Sequence, residues 1–222
     1  MKRVGPKRVR VVEVGAGHKP IGVIGQALRA QRKRQGREFV ASDIKLNLSD
    51  TLRSFGLRNA PSNAKVLKEC SIKTLKAQAD KSADIIFGGF FFNGLMTSTK
   101  NQLEYLHKVN EFFQNAKRVL KPNGRIIFVA HHSEAFLIKE GVKNVGFSAH
   151  IIPFNERMIQ NSSSEWVQKT TTQEGLMDFF ATDHFRQNDS FTNKASAFSK
   201  LTKLSVEESA RPALVIMRRL KQ

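Results

Sequence analysis

The sequence predicts a doubly wound α/β fold, with a mostly parallel sheet covered by helices on both faces. Three observations carry that expectation. Short apolar runs alternate with amphipathic, helix-length segments along the chain. The first run, Val9–Val14, breaks into the glycine turn Glu13-Val14-Gly15-Ala16-Gly17, the junction of a buried strand with a helix. A long amphipathic segment, Asn101–Leu120, is stopped by Lys121-Pro122-Asn123-Gly124, and another apolar run follows at once.

Taken in order, Arg8–Val14 reads as the first strand and Ile21–Gln35 as a helix, with Ile24, Ala27 and Leu28 at helical spacing. Glu38–Ser42 is the second strand, Thr51–Phe55 a short helix, and Asn59-Ala60-Pro61-Ser62-Asn63 a turn cluster. Lys65–Glu69 is the third strand, and Ile72–Ala79 is left open between a short helix and a loop. Ala83–Phe87 is an apolar strand interrupted only by Asp84. The long helix places Leu103, Leu106, Val109, Phe113, Ala116 and Leu120 on one stripe. Arg125–Ala130 is a strand, Glu134–Lys143 a helix, and Phe147–Pro153 and Ala213–Arg218 the last two strands. Between them residues 155–209 interrupt the rhythm, so the expectation is a single domain, 1–222, carrying a lid-like insertion.

The chain has 222 residues, 40% hydrophobic and 25% charged, a globular balance that excludes a disordered protein. No run approaches the roughly 20 apolar residues of a membrane helix. The basic start MKRVGPKRVR has neither the long apolar stretch nor the cleavage site of a signal peptide. Cys70 is the only cysteine, which excludes an internal disulfide and a multi-cysteine zinc site and points to a reducing, cytoplasmic location. The adjacent His131 and His132 point to opposite faces of an extended chain, so no metal-ligand spacing is present.

Glu13 ends the first strand and Asp43 follows the second. Two carboxylates at neighbouring strand ends suit a ligand with an ammonium group and a ribose, and suit a bare phosphate poorly. The glycine turn between them was expected to offer backbone N–H groups to that ligand, with a helix N-terminus behind.

Together these residues resemble the class I S-adenosylmethionine-dependent methyltransferases, over residues 8–153 and 213–218. Glu13-Val14-Gly15-Ala16-Gly17 matches the family's first motif and Asp43 its ribose-binding acid. Ala83-Asp84-Ile85-Ile86-Phe87 matches its fourth strand, and Ala116–Val129 its helix-turn-strand signature. The resemblance implies a Rossmann-like sheet of seven strands, the last antiparallel and inserted between the fifth and sixth. It also implies S-adenosylmethionine as cofactor, held by Glu13, Gly15, Ala16, Gly17, Asp43 and Ile44, with Ser71, Ile72 and Gly88 completing the contacts. Two departures stand out. Pro20 replaces the usual third glycine, with His18 and Lys19 beside it, and Cys70-Ser71-Ile72 stands where an acid often meets the adenine amine, leaving Ser71 or a backbone group to serve. A dinucleotide site is the alternative for the turn, but Pro20 breaks G-x-G-x-x-G and Glu13 would crowd a pyrophosphate.

Methyl transfer needs a positioned acceptor, and a base when a proton must leave. Gly88-Gly89-Phe90-Phe91-Phe92-Asn93-Gly94 follows the fourth strand, where the family places acceptor contacts. Phe90, Phe91 and His132 are the expected substrate contacts, with two of the three phenylalanines expected in the core. Asn93 and His131 are the expected catalytic residues, His131 as a base at a strand end.

The formal net charge is +18. Residues 1–40 hold 11 Lys+Arg against two acids, whereas the insertion 155–209 holds 6 Lys+Arg against 8 acids and six large aromatics. An acceptor of nucleic acid, RNA in the first instance, follows from the charge. A planar small molecule follows from the aromatic insertion, and a non-catalytic binding module is the reading from a different class.

Overall fold

The structure, a computed structural model, describes residues 9–16, 21–89, 91, 95, 99–155 and 211–220. The expectations for Gly17, His18, Lys19, Pro20, Phe90, Asn93 and nearly all of the insertion lie outside the described residues. Seven strands form one sheet in the order β3-β2-β1-β4-β5-β7-β6. They are β1 Val9–Val14, β2 Arg37–Ser42, β3 Ala64–Leu67, β4 Ala83–Gly89, β5 Leu120–His131, β6 Phe147–Pro153 and β7 Pro212–Arg219. Neighbours among β1 to β5 pair parallel, and β7 pairs antiparallel with both β5 and β6. The strand order reverses between β1 and β4, and ligands of doubly wound sheets bind at the carboxyl ends of the strands beside such a reversal.

Alternation along the strands divides the core. Val12, Val14, Val40, Ile86, Ile126 and Phe128 face α3 (Ser71–Lys76) and α4 (Gln102–Val119), where Leu75, Phe112, Phe113, Ala116 and Val119 are buried. Phe39 and Ala41 face α1 (Ile21–Arg32) through Val23, Ala27 and Ala30. Leu103 and Leu106, expected on the buried stripe of α4, are 79% and 53% exposed. Of the stripe, Val109 is partly buried against the core and Phe113, Ala116 and Leu120 are fully within it.

Three boundaries moved for identifiable reasons. The helix expected at Thr51–Phe55 is α2, Leu48–Ser54, because Asn47 caps it: Asn47 Oδ1 accepts from the Asp50 amide at 3.3 Å and Nδ2 donates to Asp50 Oδ2 at 2.9 Å. The helix expected at Glu134–Lys143 is α5, His132–Gly141, closed by a 3₁₀ turn at Val142–Val145 and by Gly146 at φ +84°. Lys121-Pro122-Asn123-Gly124 does not precede the fifth strand but bulges out of it. Leu120 pairs with Ala83 and Arg125 with Ile85, so the four residues between loop away from the ladder. Asp84, the acid inside the apolar strand, anchors that bulge. Its Oδ2 accepts from Lys121 Nζ at 2.6 Å and from the Arg10 amide at 2.8 Å. The segment Ile72–Ala79, left open by the sequence, is helical as far as Lys76, in α3, and Ala77 caps it.

Candidate active site at the carboxyl edge of the sheet

The carboxyl ends of β1, β2, β4 and β5 bring Glu13 to Ala16, Asp43, Ile44, Gly88 and His131 to one edge, and α3 begins there with Ser71 and Ile72. At the centre is the turn that ends β1. Gly15 has φ +64°, a conformation L-residues avoid. A side chain at Gly15 would also come within 3.2 Å of Phe91 Cδ2.

The amides of this turn point inward. The Gly15 N–H donates to Ser71 Oγ at 2.9 Å, and the Ala16 N–H donates to the Ser42 carbonyl at 3.1 Å. Neither of these two amides is offered to a ligand, and the Gly17 amide lies outside the described residues. A phosphate loop works by presenting such amides. At Gly15 and Ala16 the turn presents backbone whose amides are already bonded, which fits a cofactor lying against it better than a pyrophosphate.

Ser71 is likewise not where the sequence placed it. Its hydroxyl donates to the Ser42 carbonyl at 3.1 Å while accepting from Gly15 N–H and from Ser42 Oγ at 3.2 Å. A hydroxyl has one proton and two lone pairs, and all three are engaged. Ser71 is only 6% exposed, and no capacity remains for an adenine amine. Ser42, fully buried behind Asp43, was missed altogether. The sequence signal was a small hydroxyl residue ending an otherwise apolar strand.

Glu13 projects from the α1 side of the sheet, opposite Ala41 on β2 and Phe87 on β4. Part of its surface stays open, but the flanking positions are apolar and burial pushes its carboxyl up to about 7. Among the described residues no donor or basic side chain compensates it. A ligand ammonium is the group that would, and in that respect the residues present fit S-adenosylmethionine. Asp43 is held in an Asx turn, its Oδ1 accepting from the Lys45 amide at 2.8 Å. Beside it Ile44 is 57% exposed, an apolar surface at the cofactor edge.

Other expected contacts face the core. A Cβ at Gly88 would lie 2.5 Å from Phe128 Cε1 and 3.1 Å from Val14 Cγ2, so packing by itself accounts for glycine there. Phe91, expected against the acceptor, is 7% exposed and packs at 4.9 Å from Phe112 and 5.9 Å from Phe128, ring centre to ring centre. Ile72 is buried in the same cluster. His131 ends β5 at the N-cap position of α5, without its side chain bonding the helix amides. His132 opens α5, its ring 5.3 Å from that of Phe136 and its amide bonded to the Arg211 carbonyl at 2.8 Å.

Comparison with known proteins agrees with this geometry. Residues 21–128 match the family model described as a methyltransferase domain. Among solved structures, one described as an antibiotic-related methyltransferase aligns at TM-score 0.50 and 13% identity, over 96% of this chain and 88% of its own. The CMeT domain of the citrinin polyketide synthase aligns at 0.50 and 13%, over all of this chain and 49% of its own. A phosphoethanolamine N-methyltransferase of Haemonchus contortus, bound to S-adenosylhomocysteine and phosphomonomethylethanolamine, aligns at 0.49 and 15%, over all of this chain and 51% of its own. No curated protein matched the sequence. In its sheet order and in the match to the family model, which covers just under half of the chain, the protein is similar to the class I, Rossmann-like methyltransferases. No helix among the described residues is long and apolar enough to cross a membrane.

Proposed function

We propose that this protein is an S-adenosylmethionine-dependent methyltransferase and that it acts on a nucleic acid, RNA in particular. One observation carries the reading. Arg29, Arg32, Lys33, Arg34 and Arg37, at the end of α1 and the start of β2, are all exposed, and among the described residues none has an acid partner. Helix-dipole complementation accounts for a cation or two in the last turn. It does not account for a run that continues through the connection into the next strand. Phosphate contacts made there, at the amino edge of the sheet, would position a large acceptor without specifying it. A small molecule at the carboxyl edge would gain nothing from them.

S-adenosylmethionine supplies a methyl group on a sulfonium, and the chain supplies the position. Glu13 holds the ammonium and Asp43 the ribose hydroxyls, while Gly15 and Ala16 give a surface for close approach and Ile44 an apolar one. His131 takes the acceptor's proton where the acceptor carries one, since an imidazole suits that task near neutral pH. The test is transfer of labelled methyl groups to RNA, alongside binding at rising salt. RNA affinity that falls steeply with salt is expected. Transfer only to planar small molecules, with RNA binding absent or insensitive to salt, would replace RNA by such a molecule.

A further inference from the structure

We propose that Ser71 is a positioning residue for the cofactor, acting through the Gly15 amide as the centre of a hydroxyl clamp with Ser42. The inference rests on the cofactor assignment and deepens it. The clamp joins three elements that are far apart in sequence: the turn after β1, the end of β2 and the start of α3. Its bonds run from Gly15 N–H to Ser71 Oγ at 2.9 Å, from Ser71 Oγ to the Ser42 carbonyl at 3.1 Å, and from Ser42 Oγ to Ser71 Oγ at 3.2 Å. The Ser42 carbonyl also receives the Ala16 amide at 3.1 Å, so both serines converge on the two residues that face the cofactor.

A hydroxyl is the smallest group that donates once and accepts twice from one atom. At 6% exposure water has little access to replace it. On the opposite side of the turn, Phe91 Cδ2 lies 3.2 Å from the site of a Gly15 Cβ, and its ring is wedged against Phe112 and Phe128. The turn is therefore held at φ +64° between a hydrogen bond and an aromatic wall before any ligand arrives. Removing the hydroxyl takes the acceptor from the half-buried Gly15 amide, and the turn relaxes away from the shape the cofactor needs. The consequence falls on cofactor affinity and on the KM for the cofactor. The kcat at saturating cofactor is spared, because Ser71 touches no reacting atom.

The experiment is calorimetric titration of the full chain with S-adenosylhomocysteine, with thermal unfolding measured on the same samples. Ser71→Ala should weaken binding about tenfold, as a half-buried donor left without its acceptor implies. Thr74→Ala is the control. Thr74 lies on the same helix, is fully buried and bonds Glu69 Oε1 at 2.7 Å, away from the turn. It should lower the Tm without changing affinity. If Ser71→Ala does not fold, Ser71→Thr and Ser71→Val form a pair of one shape differing in the hydroxyl, and threonine should bind about tenfold tighter. Equal affinities within that pair, an unchanged affinity in Ser71→Ala, or an equal loss in Thr74→Ala would overturn the clamp. Wild-type protein that does not bind the ligand at all would overturn the cofactor-site reading itself, and the clamp's role with it.

Discussion

Glu13 of β1 stands directly across the ladder from Phe87 of β4, with Ala41 of β2 on its other side. A carboxylate between an aromatic and a methyl group is poorly solvated, and its proton is correspondingly hard to remove. The register of three parallel strands thus gives one acid two states near neutral pH, and only the ionised state can pair with an ammonium group.

The pH dependence follows with its sign. The folded-state value of about 7 lies above the ordinary 4.5, so the native state holds the proton more tightly than the unfolded chain. The unliganded protein is therefore least strained by Glu13 below the ordinary value and loses stability as pH rises through that window, by at most about 3 kcal/mol at pH 8. Glu13→Gln should raise the Tm of the unliganded protein at pH 8 and change it little at pH 4.

Cofactor binding should show the opposite trend. Affinity for S-adenosylhomocysteine rises as Glu13 ionises through about 7, levels above that value, and falls again once the ligand's amino group deprotonates. Glu13→Gln should flatten the acid limb and weaken binding at pH 7.5. Titration calorimetry across pH checks both, and an acid limb that survives the substitution would assign it to another group.

Asp43→Ala should weaken S-adenosylhomocysteine binding by roughly 10- to 100-fold, because hydrogen bonds to a charged acceptor contribute about 1.5–3 kcal/mol each. The Tm should change by much less than after a core substitution, since the Asp43 side chain is only half-buried. Unchanged affinity in this variant would remove Asp43 from the ribose site.

Gly88→Ala separates packing from ligand contact. The added methyl would meet Phe128 Cε1 at 2.5 Å, and overpacking of this kind costs typically about 1–3 kcal/mol. Denaturant unfolding should report that loss, and the folded fraction should bind cofactor nearly as well as wild type. A large affinity loss at unchanged stability would return Gly88 to the ligand site.

Arg29→Gln, Arg32→Gln and Arg34→Gln combined should lower the Tm by only a few °C, since these exposed cations complement the α1 dipole but bond no acid among the described residues. The slope of log affinity for RNA against log salt should shrink by about 2 to 3. An unaltered slope would place the phosphate contacts elsewhere on the chain.

Much of this molecule was decided locally and could be read from the sequence. Val9–Val14 is apolar and β-branched, Asn101–Leu120 carries a helical stripe, and the glycines after β1 admit a backbone that other residues refuse. Such signals sit within one turn or one strand, and with the family resemblance they carry, they were enough for the seven-stranded sheet and its antiparallel strand. The partners of each group were decided only in three dimensions. Ser71 looked like a ligand contact because it stands where the family often places an acid for the adenine amine, yet Gly15 lies 56 residues away and bonds its hydroxyl. Phe91 and Gly88 looked like an acceptor pocket because they follow β4, and the ring of Phe128 from the next strand claims both. The raised carboxyl of Glu13 depends on which residues the register sets beside it. Local sequence prescribes conformation through sterics and periodicity, whereas hydrogen-bond saturation, packing and desolvation are properties of neighbours that only the folded chain brings together.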